Sequence, residues 1–292
     1  ATQPLPAPEA SGIDHIVVGV KFLEEAVDTY ARLGFALTPY GRHEGMGTGN
    51  HCVMMPHDYL ELVGLSSEAG DSELRRRLAK SLETLGNGVM AVAFHTEDGA
   101  ATHQALLRKG VAALPPQSVT RSIGAEPKPV RAALSMVRLP EDALVGLSAF
   151  VAQHLSPEAV RQPGWMDHPN GAVGIDSLTL VVDDPMAAKD AYESFFGAGV
   201  AAITDHGVAV HLGDHTIFLC SPEEITQLHP DVELDRAPKS PAPVAIGIKV
   251  RDIEETARVL AGNRVAFRML KEGMIRVPPS ETLGTLIEFC EG

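Results

Sequence analysis

An internal repeat constrains the fold of this chain more than any other feature of its sequence. The segment GIDHIVVGVKFLEEAVDTY starts at Gly12, and the similar segment GIDSLTLVVDDPMAAKDAY starts at Gly174. Weaker copies start at Gly88 and Pro243. Each copy contains a short apolar strand pattern, an acidic turn and a helical pattern of about three turns. Such self-similarity predicts that one supersecondary unit occurs four times.

Short strand-like segments, separated by Gly, Pro and charged residues, follow each helical pattern. They cover residues 35–40, 51–55 and 59–65 in the first unit and residues 267–270, 274–277 and 285–290 in the last unit. The repeated unit is therefore predicted to be β-α-β-β-β. A further helical pattern over residues 72–85 connects units one and two.

One such unit cannot fold alone, because a single helix cannot cover both faces of a small sheet. Pairing the units two by two solves this, and 292 residues suit two domains at about 150 residues each. Residues 156–172 contain Pro157, Pro163, Pro169 and Gly171, which is typical of a linker. We predict an α+β protein with two-unit domains over residues 1–160 and 161–292.

Charge and cysteine content limit the partners and the compartment. The net charge of -14 argues against binding to nucleic acids and anionic membrane surfaces. No apolar run is long enough to span a bilayer. The chain has three cysteines, Cys52, Cys220 and Cys290, and this small, odd number argues against a disulfide framework. A reducing compartment, and hence a cytoplasmic location, is the expectation.

Several short motifs resemble those of the vicinal oxygen chelate superfamily, and of its glyoxalase-like branch in particular. They are Asp14-His15-Ile16-Val17-Val18, Leu33-Gly34-Phe35, Gly47-Thr48-Gly49-Asn50, Tyr59-Leu60-Glu61-Leu62 and His168-Pro169-Asn170-Gly171-Ala172. The superfamily includes glyoxalase I, extradiol dioxygenases and bleomycin-resistance proteins. The resemblance implies that paired units form curved mixed sheets around a cleft. It also implies a divalent metal, held by the first and last strands of each unit, that chelates adjacent substrate oxygens.

His15 and Glu61 are the candidate ligands in unit one. Each lies in an apolar strand pattern at a position that matches the family's ligands. A carboxylate among apolar neighbours is costly unless it is paired or bound to a metal. The alternatives are a core histidine and a solvent-facing glutamate on an edge strand. Histidine and carboxylate suit zinc, iron(II), manganese or nickel and do not choose among them.

Unit two departs from the family pattern. Its position matching His15 is Ala91, which cannot bind a metal, and its last strand has no carboxylate. That strand ends in His154, our preferred third ligand, with His95 and His51 as alternatives. His15, Glu61 and His154 would form a set of two histidines and one carboxylate with open positions for substrate.

The C-terminal half has fewer candidate ligands. Ser177 and Ala245 take the positions that match His15 in units three and four, and only Glu288 keeps the carboxylate. One carboxylate does not hold a metal, so this half is expected to be structural or a lid. His211 and His215 flank a Gly-Asp turn and are expected to lie on a hairpin.

The resemblance implies a metal-dependent glyoxalase-like enzyme with lyase or isomerase chemistry on a small oxygen-rich or carbonyl substrate. The metal would polarise a carbonyl, Glu61 would also move a proton, and Asn50 and His51 would contact substrate. The alternatives are an extradiol-type dioxygenase using iron(II) and a metal-free small-molecule binding or resistance protein. An aromatic content of 5% argues mildly against stacking of a large planar drug. A homodimer is left open.

Overall fold

Strands dominate the computed structural model, which describes residues 12–125, 127–229 and 241–292. The strands are β1 (Ile13–Gly19), β2 (Gly41–His43), β3 (Thr48–Met54), β4 (Tyr59–Leu65), β5 (Gly88–His95), β6 (Gln117–Ile123), β7 (Val130–Arg138), β8 (Ala149–His154), β9 (Ala172–Val181), β10 (Ala201–Thr204), β11 (Gly207–Leu212), β12 (His215–Cys220), β13 (Ala242–Val250), β14 (Arg268–Met269), β15 (Ile275–Val277) and β16 (Leu286–Glu291). The helices are α1 (Leu23–Arg32), α2 (Glu73–Thr84), α3 (Gly99–Arg108), α4 (Pro157–Val160), α5 (Pro185–Phe196), α6 (Pro222–Leu228) and α7 (Ile253–Gly262).

The first eight strands form a closed barrel in the order β1-β4-β3-β2-β6-β7-β8-β5. Strands β1 and β4 are parallel, as are β5 and β8, whereas β1 and β5 are antiparallel. Pairing of β2 with β6 closes the ring. The other eight strands form one sheet in the order β10-β11-β12-β9-β13-β16-β15-β14, which places β10 and β14 at its two edges. The predicted fold, with β-α-β-β-β units paired on two curved sheets, is confirmed.

The strand predicted over residues 35–40 is absent, and β2 begins after it. Pro39 lacks the N–H group that a ladder needs. The neighbouring Thr38 uses its hydroxyl oxygen instead of a carbonyl to accept a hydrogen bond from the Cys52 N–H, at 2.8 Å. Side-chain bonding of this kind favours an irregular segment over a regular strand.

The helix predicted over residues 72–85 is confirmed as α2. Its N-cap is Ser72, whose hydroxyl accepts a hydrogen bond from the Arg75 N–H at 3.0 Å. The helix lies across one end of the barrel. There its buried Leu78 packs in one apolar cluster with Val17, Val63 and Ala91.

Alternation along the strands separates two environments. On β1, Ile16 and Val18 face the large core that the helices cover, whereas His15 and Val17 face the barrel interior. The barrel therefore has an apolar outer surface under its helices and an interior that can hold polar side chains.

Two buried side chains of the segment between β8 and β9 connect it to the first unit. The His168 Nδ1 accepts a hydrogen bond from the Ala36 N–H at 3.0 Å, and its Nε2–H donates to the Met54 carbonyl at 2.7 Å. The Asn170 amide donates to the Leu33 carbonyl at 3.0 Å. The motif that resembles the family thus fixes how the chain passes from one sheet to the other.

A buried pair joins the two sheets directly. Asp58, just before β4, accepts a hydrogen bond from His215 Nε2–H at 2.7 Å and another from the Ile175 N–H at 3.0 Å. The other ring nitrogen of His215 accepts a hydrogen bond from the Ile13 N–H. The expectation that His215 merely lies on a hairpin was incomplete, because its ring is buried between the sheets.

None of the described helices combines the length and the apolar character that a membrane crossing requires.

Candidate functional site

The barrel interior contains a cavity with a volume of about 70 Å³. Its polar lining includes the predicted ligands of unit one and several residues of other strands. These polar residues are His15, His43, Tyr59, Glu61, Arg121 and His154. The rest of the wall is apolar, so the polar groups form one concentrated patch in a space large enough for a few water molecules or a small ligand.

His15 is fixed in this cavity from two sides. Its Nδ1–H donates to Asp14 Oδ2 at 2.6 Å. The ring stacks on Tyr59 with centroids 4.4 Å apart and an angle of 13° between the planes. Its other nitrogen, Nε2, lies 3.8 Å from Glu61 Oε1. A histidine with one nitrogen bound to a carboxylate and the other facing a cavity is arranged as a metal ligand or as a proton acceptor.

A bulge in β1 explains how two successive residues reach the same site. The pairing of β1 with β5 shifts register between Ile13 and His15, which leaves Asp14 as the extra residue. Regular alternation would point Asp14 away from His15. Asp14 was therefore not predicted as a site residue, although Asp14-His15 was part of the motif that resembled the family.

Asp14 lies at the centre of three histidines. Its carboxylate accepts from His15 and from His154 Nε2, at 2.6 and 2.9 Å, and lies 3.4 Å from His95 Nδ1. Burial alone would raise the pKa of Asp14, but the hydrogen bonds from His15, His154 and His95 outweigh it and hold the pKa well below its usual range. Asp14, His15 and His154 each offer one potential ligand atom, and these three atoms lie within 4.8 Å of one another. A divalent metal could bind all three at this spacing.

Glu61 is held by a second set of polar groups. The Asn50 amide donates to Glu61 Oε2 at 2.6 Å, and His43 Nε2 lies 3.2 Å from the same oxygen. The other nitrogen of His43 lies 2.9 Å from the Thr48 hydroxyl. Burial would raise the pKa of Glu61, but the hydrogen bond and charge of His43 and the charges of His15 and Arg121 lower it far below its usual range. Glu61 is thus a buried carboxylate that stays ionised.

Unit two does not supply the same pair of ligands. In unit one, Glu61 on β4 lies opposite the residue two beyond His15 on β1. In unit two, Phe150 on β8 lies opposite the residue two beyond Ala91 on β5. Ala91 and Phe150 thus take the equivalent positions, both line the cavity, and neither has a metal-binding atom.

The three histidines considered as a third ligand lie in different places. His154 lines the cavity but bonds to Asp14, on the side of His15 away from Glu61. His95 lies outside this cavity, between Asp14 and Glu97. His51 is on the opposite face of β3 from Asn50, where its Nδ1–H donates to the Thr38 carbonyl at 2.7 Å.

A second, more polar cleft of about 490 Å³ opens between the barrel and the second sheet. Asp14, His95 and His154 line it from the barrel, and Asp214 and His215 line it from the other side. His154 also lines the interior cavity, so the Asp14 cluster lies between the interior of the barrel and the outer cleft.

His43 and Arg121, like Asp14, were not predicted as site residues. His43 lies on β2, next to the segment wrongly predicted as a strand, so its inward orientation was not foreseen. Arg121 lies on β6, in a unit that matches the family only in pattern. An isolated Arg in the β-branched stretch Gln117–Ile123 was the one signal that could have indicated it.

The C-terminal sheet has no comparable ligand pair at the positions of the repeat. Ser177 and Ala245 stand where His15 stands in unit one. Glu288 is kept, but it lies 3.6 Å from His229 Nε2 and 3.9 Å from Arg276 Nη2. This carboxylate therefore has partners of its own within the second sheet.

Comparisons with known proteins agree with this architecture. A family model described as a glyoxalase-like domain matches residues 13–196. No match to a curated protein was found.

Among solved structures, a hypothetical protein from Staphylococcus aureus is 14% identical with a TM-score of 0.61, covering 96% of this chain and 99% of its own. A triple mutant of 4-hydroxymandelate synthase from Streptomyces coelicolor is 16% identical with a TM-score of 0.62, covering 98% and 92%. A fusion of a xylose isomerase-like TIM barrel and 4-hydroxyphenylpyruvate dioxygenase is 14% identical with a TM-score of 0.55, covering 98% and 49%. At these identities the similarity concerns the fold alone.

The two paired sheets, the repeated unit and a family model that spans most of the chain lead to one assignment. This protein belongs to the glyoxalase-like domain family.

Proposed function

We propose that this protein is a metal-dependent enzyme of the lyase or isomerase type, which acts on a small carbonyl substrate inside the barrel cavity. The observation that carries the proposal is the pair formed by His15 and Glu61. Their facing atoms, Nε2 and Oε1, are 3.8 Å apart in an otherwise mostly apolar cavity. A separation of this size accommodates one divalent ion bound to both atoms at ordinary ligand distances of about 2.0–2.2 Å.

The state of Glu61 favours a role as ligand over a role as general base. A carboxylate whose pKa is strongly lowered accepts protons poorly, because an efficient general base has a pKa near the working pH. The same ionised carboxylate, held by Asn50 and His43, is well suited to bind a cation. We therefore assign Glu61 to binding the metal rather than to moving a proton.

His15 and Asp14 supply the orientation that a ligand histidine needs. The bond from Nδ1–H to Asp14 fixes the tautomer and leaves the lone pair of Nε2 directed at the cavity. A divalent metal bound there would act as a Lewis acid on a substrate carbonyl. The closely packed apolar wall, including Phe150 and Leu134, would exclude water and strengthen these electrostatic interactions.

Two arrangements of ligands are compatible with this cluster. In the first, His15 and Glu61 bind the ion and Asp14 orients His15. In the second, Asp14, His15 and His154 bind it, and Glu61 only lines the cavity. The first is favoured because it uses the positions that the family motif assigns. His154 joins Glu61 and His15 only if its side chain turns away from Asp14.

Metal analysis of protein purified without chelator, before and after loading with zinc, iron(II), manganese or nickel, tests the proposal. We expect about one equivalent per chain, lost in His15→Ala and Glu61→Gln. Asp14→Asn should keep the metal with affinity lowered about 10- to 100-fold, as expected for an outer partner. The matched control is His211→Gln, which replaces an exposed histidine on β11.

The outcomes separate the alternatives. Metal that persists in Glu61→Gln but is lost in Asp14→Asn and His154→Ala indicates the second arrangement. A wild-type protein that takes up none of the four metals contradicts metal dependence. Loaded protein that catalyses no exchange of carbon-bound hydrogen in α-hydroxy carbonyl compounds, followed by NMR in heavy water, contradicts the lyase or isomerase chemistry.

A metal-free binding protein is the second candidate function. The replacement of two of the four ligand positions by Ala91 and Phe150 favours it, because neither residue has an atom that could bind a metal. It predicts that a small ligand binds equally well before and after chelator treatment.

An iron(II) dioxygenase is a variant of the first proposal. It is tested by loading the protein with iron(II) in the absence of oxygen and then adding a panel of catechols, followed by air.

A further inference from the structure

Arg121 presents a buried positive charge to the barrel cavity. It lies on β6 with 9% of its surface exposed, and it is the only Lys or Arg among the described residues that line this cavity. Its guanidinium donates a hydrogen bond to Cys52 Sγ at 3.1 Å. A neutral thiol is a weak acceptor, and burial raises the pKa of Cys52, which keeps it neutral.

No carboxylate of the described residues lies within ion-pair distance of Arg121. Glu61 is near enough to influence it electrostatically, but the hydrogen bonds to Glu61 come from Asn50 and His43. Tyr59 contributes a ring face, with its centroid 5.9 Å from the guanidinium carbon. A buried guanidinium normally has a bidentate acid partner, because an unpaired buried charge is costly.

On the β7 side of Arg121, away from its β2 neighbour His43, the cavity wall is apolar. Val119 precedes it on the same face of β6, and Leu134, Met136 and Phe150 continue the wall on β7 and β8. An anion bound here would therefore place its charged end at Arg121 and an apolar chain against these residues. A single guanidinium balances a single charge, which favours a carboxylate over a phosphate dianion.

We propose that Arg121 forms a subsite for the carboxylate group of a small ligand with an apolar chain. As a statement about the substrate, this rests on the proposed function, because it assigns the substrate class of the same cavity. Arg121 would bind and orient the acid end, and the rest of the molecule would reach toward His15 and Glu61.

Binding to the full-length, chelator-treated protein tests the subsite separately from the metal. Trp165, the only tryptophan, packs with Tyr59, Cys52 and Val160 at this end of the barrel and serves as a fluorescence reporter. The probes are isocaproate, its uncharged methyl ester and inorganic phosphate. We expect isocaproate to bind with a lower Kd than the ester by at least about tenfold, the equivalent of about 1.4 kcal/mol.

The variants are Arg121→Met, which keeps an unbranched apolar stem without the guanidinium and its charge, and Arg121→Lys, which keeps the charge. Arg121→Met should raise the Kd for isocaproate about tenfold or more and leave the ester unaffected, and Arg121→Lys should restore part of the affinity. Arg131→Met is the matched control, because Arg131 on β7 is exposed and pairs with Glu44.

Equal binding of the acid and the ester by wild type, or no binding of either, overturns the subsite. So does an Arg121→Met variant that binds isocaproate like wild type, or phosphate binding that depends on Arg121 without carboxylate binding. If Arg121→Met does not fold, the subsite is still tested by the comparison of acid with ester in wild type and by the Arg121→Lys variant. Carboxylate binding by a protein that takes up no metal would support the subsite while contradicting the metal-dependent function.

Discussion

Asp14 carries a buried negative charge that three histidines share. The histidines approach it from three strands, so one carboxylate connects the interior cavity with the outer polar cleft. Buried carboxylates with several donors stay ionised and stabilise the positive form of their partners. The consequence is clearest for His95. The hydrogen bond to Asp14, opposed by burial and assisted by Glu97, raises the pKa of His95 to about 9.

We predict that the contact between His95 and Asp14 makes the free energy of unfolding depend on pH. The pKa of His95 rises from 6.5 in the unfolded chain to about 9 in the fold. The stabilisation is therefore complete below pH 6.5 and is lost as the pH rises through 9. Since the ring is partly exposed, solvent screening reduces the effect to about 1 kcal/mol. Urea unfolding below 6.5 and above 9 should show this loss in wild type and His211→Gln, and a smaller loss in His95→Gln. Equal losses in all three proteins would contradict it.

Individual site residues could be predicted only where regular geometry holds. His15 and Glu61 follow the alternation of strands, and the structure brings them together across the cavity. The orientation of the Asp14 side chain depends on a bulge in β1, which the periodicity of the sequence does not indicate. Arg121 depends on pairing between strands of different units, so its place in the cavity follows from the closure of the barrel.

Helix α2 acts at the scale of an element by closing one end of the barrel. It lies outside the repeated unit, and its buried face rests on the inward residues of β1, β4 and β5. Leu78 at its centre has no exposed surface. The cavity is therefore bounded at this end by a helix whose packing decides how much space lies behind Val17 and Ala91.

Truncation of this contact should be costly. Leu78→Ala removes a fully buried side chain, and we expect the free energy of unfolding to fall by about 2–5 kcal/mol. Leu107→Ala on α3 is the control, since that side chain is 44% exposed and the change should stay within about 0.5 kcal/mol. Urea unfolding measures both. Similar losses in the two variants would show that α2 does not support the barrel.

The elements of the repeat were largely predictable, because its helices and most of its strands have their own periodic pattern, whereas the short helices α4 and α6 were not predicted. The strand at residues 59–65 and the helix at residues 72–85 agree with β4 and α2. The failure at residues 35–40 has a local cause: Pro39 and Thr38 offer the backbone fewer ladder bonds than its apolar pattern suggests.

At the scale of the whole molecule, buried polar contacts join the two sheets. Asp58, His215, His168 and Asn170 each bond across the boundary or to the segment that crosses it. Buried hydrogen bonds of this kind are costly to leave half-made. The barrel and the second sheet should therefore unfold together.

Removal of the central carboxylate tests this coupling. Asp58→Ala leaves His215 and the Ile175 N–H without their partner, and we expect a loss of about 3 kcal/mol in the free energy of unfolding. Asp58→Asn keeps one acceptor oxygen and should lose less. Unfolding in urea, followed by Trp165 fluorescence and by circular dichroism, should give coincident transitions in wild type. Separate transitions in wild type would contradict the coupling.

The fourfold repeat was enough to predict the paired sheets, since each unit needs a partner to bury its faces. It could not predict that, among the residues the structure describes, the first sheet closes into a barrel and the second stays open. Closure depends on the short β2 reaching β6, a contact between strands with no mutual signature in the sequence. The boundary between domains at residue 160 stays a prediction.

The equivalence of the two units in the barrel also makes the protein a ready starting point for engineering. Ala91 and Phe150 occupy two positions at which the backbone of the second unit already directs side chains into the cavity. Ala91→His with Phe150→Glu would offer a second histidine and a second carboxylate. Isothermal titration with zinc should then give tighter binding than wild type by about tenfold or more, whereas unchanged affinity would mean that the two halves of the barrel are no longer interchangeable.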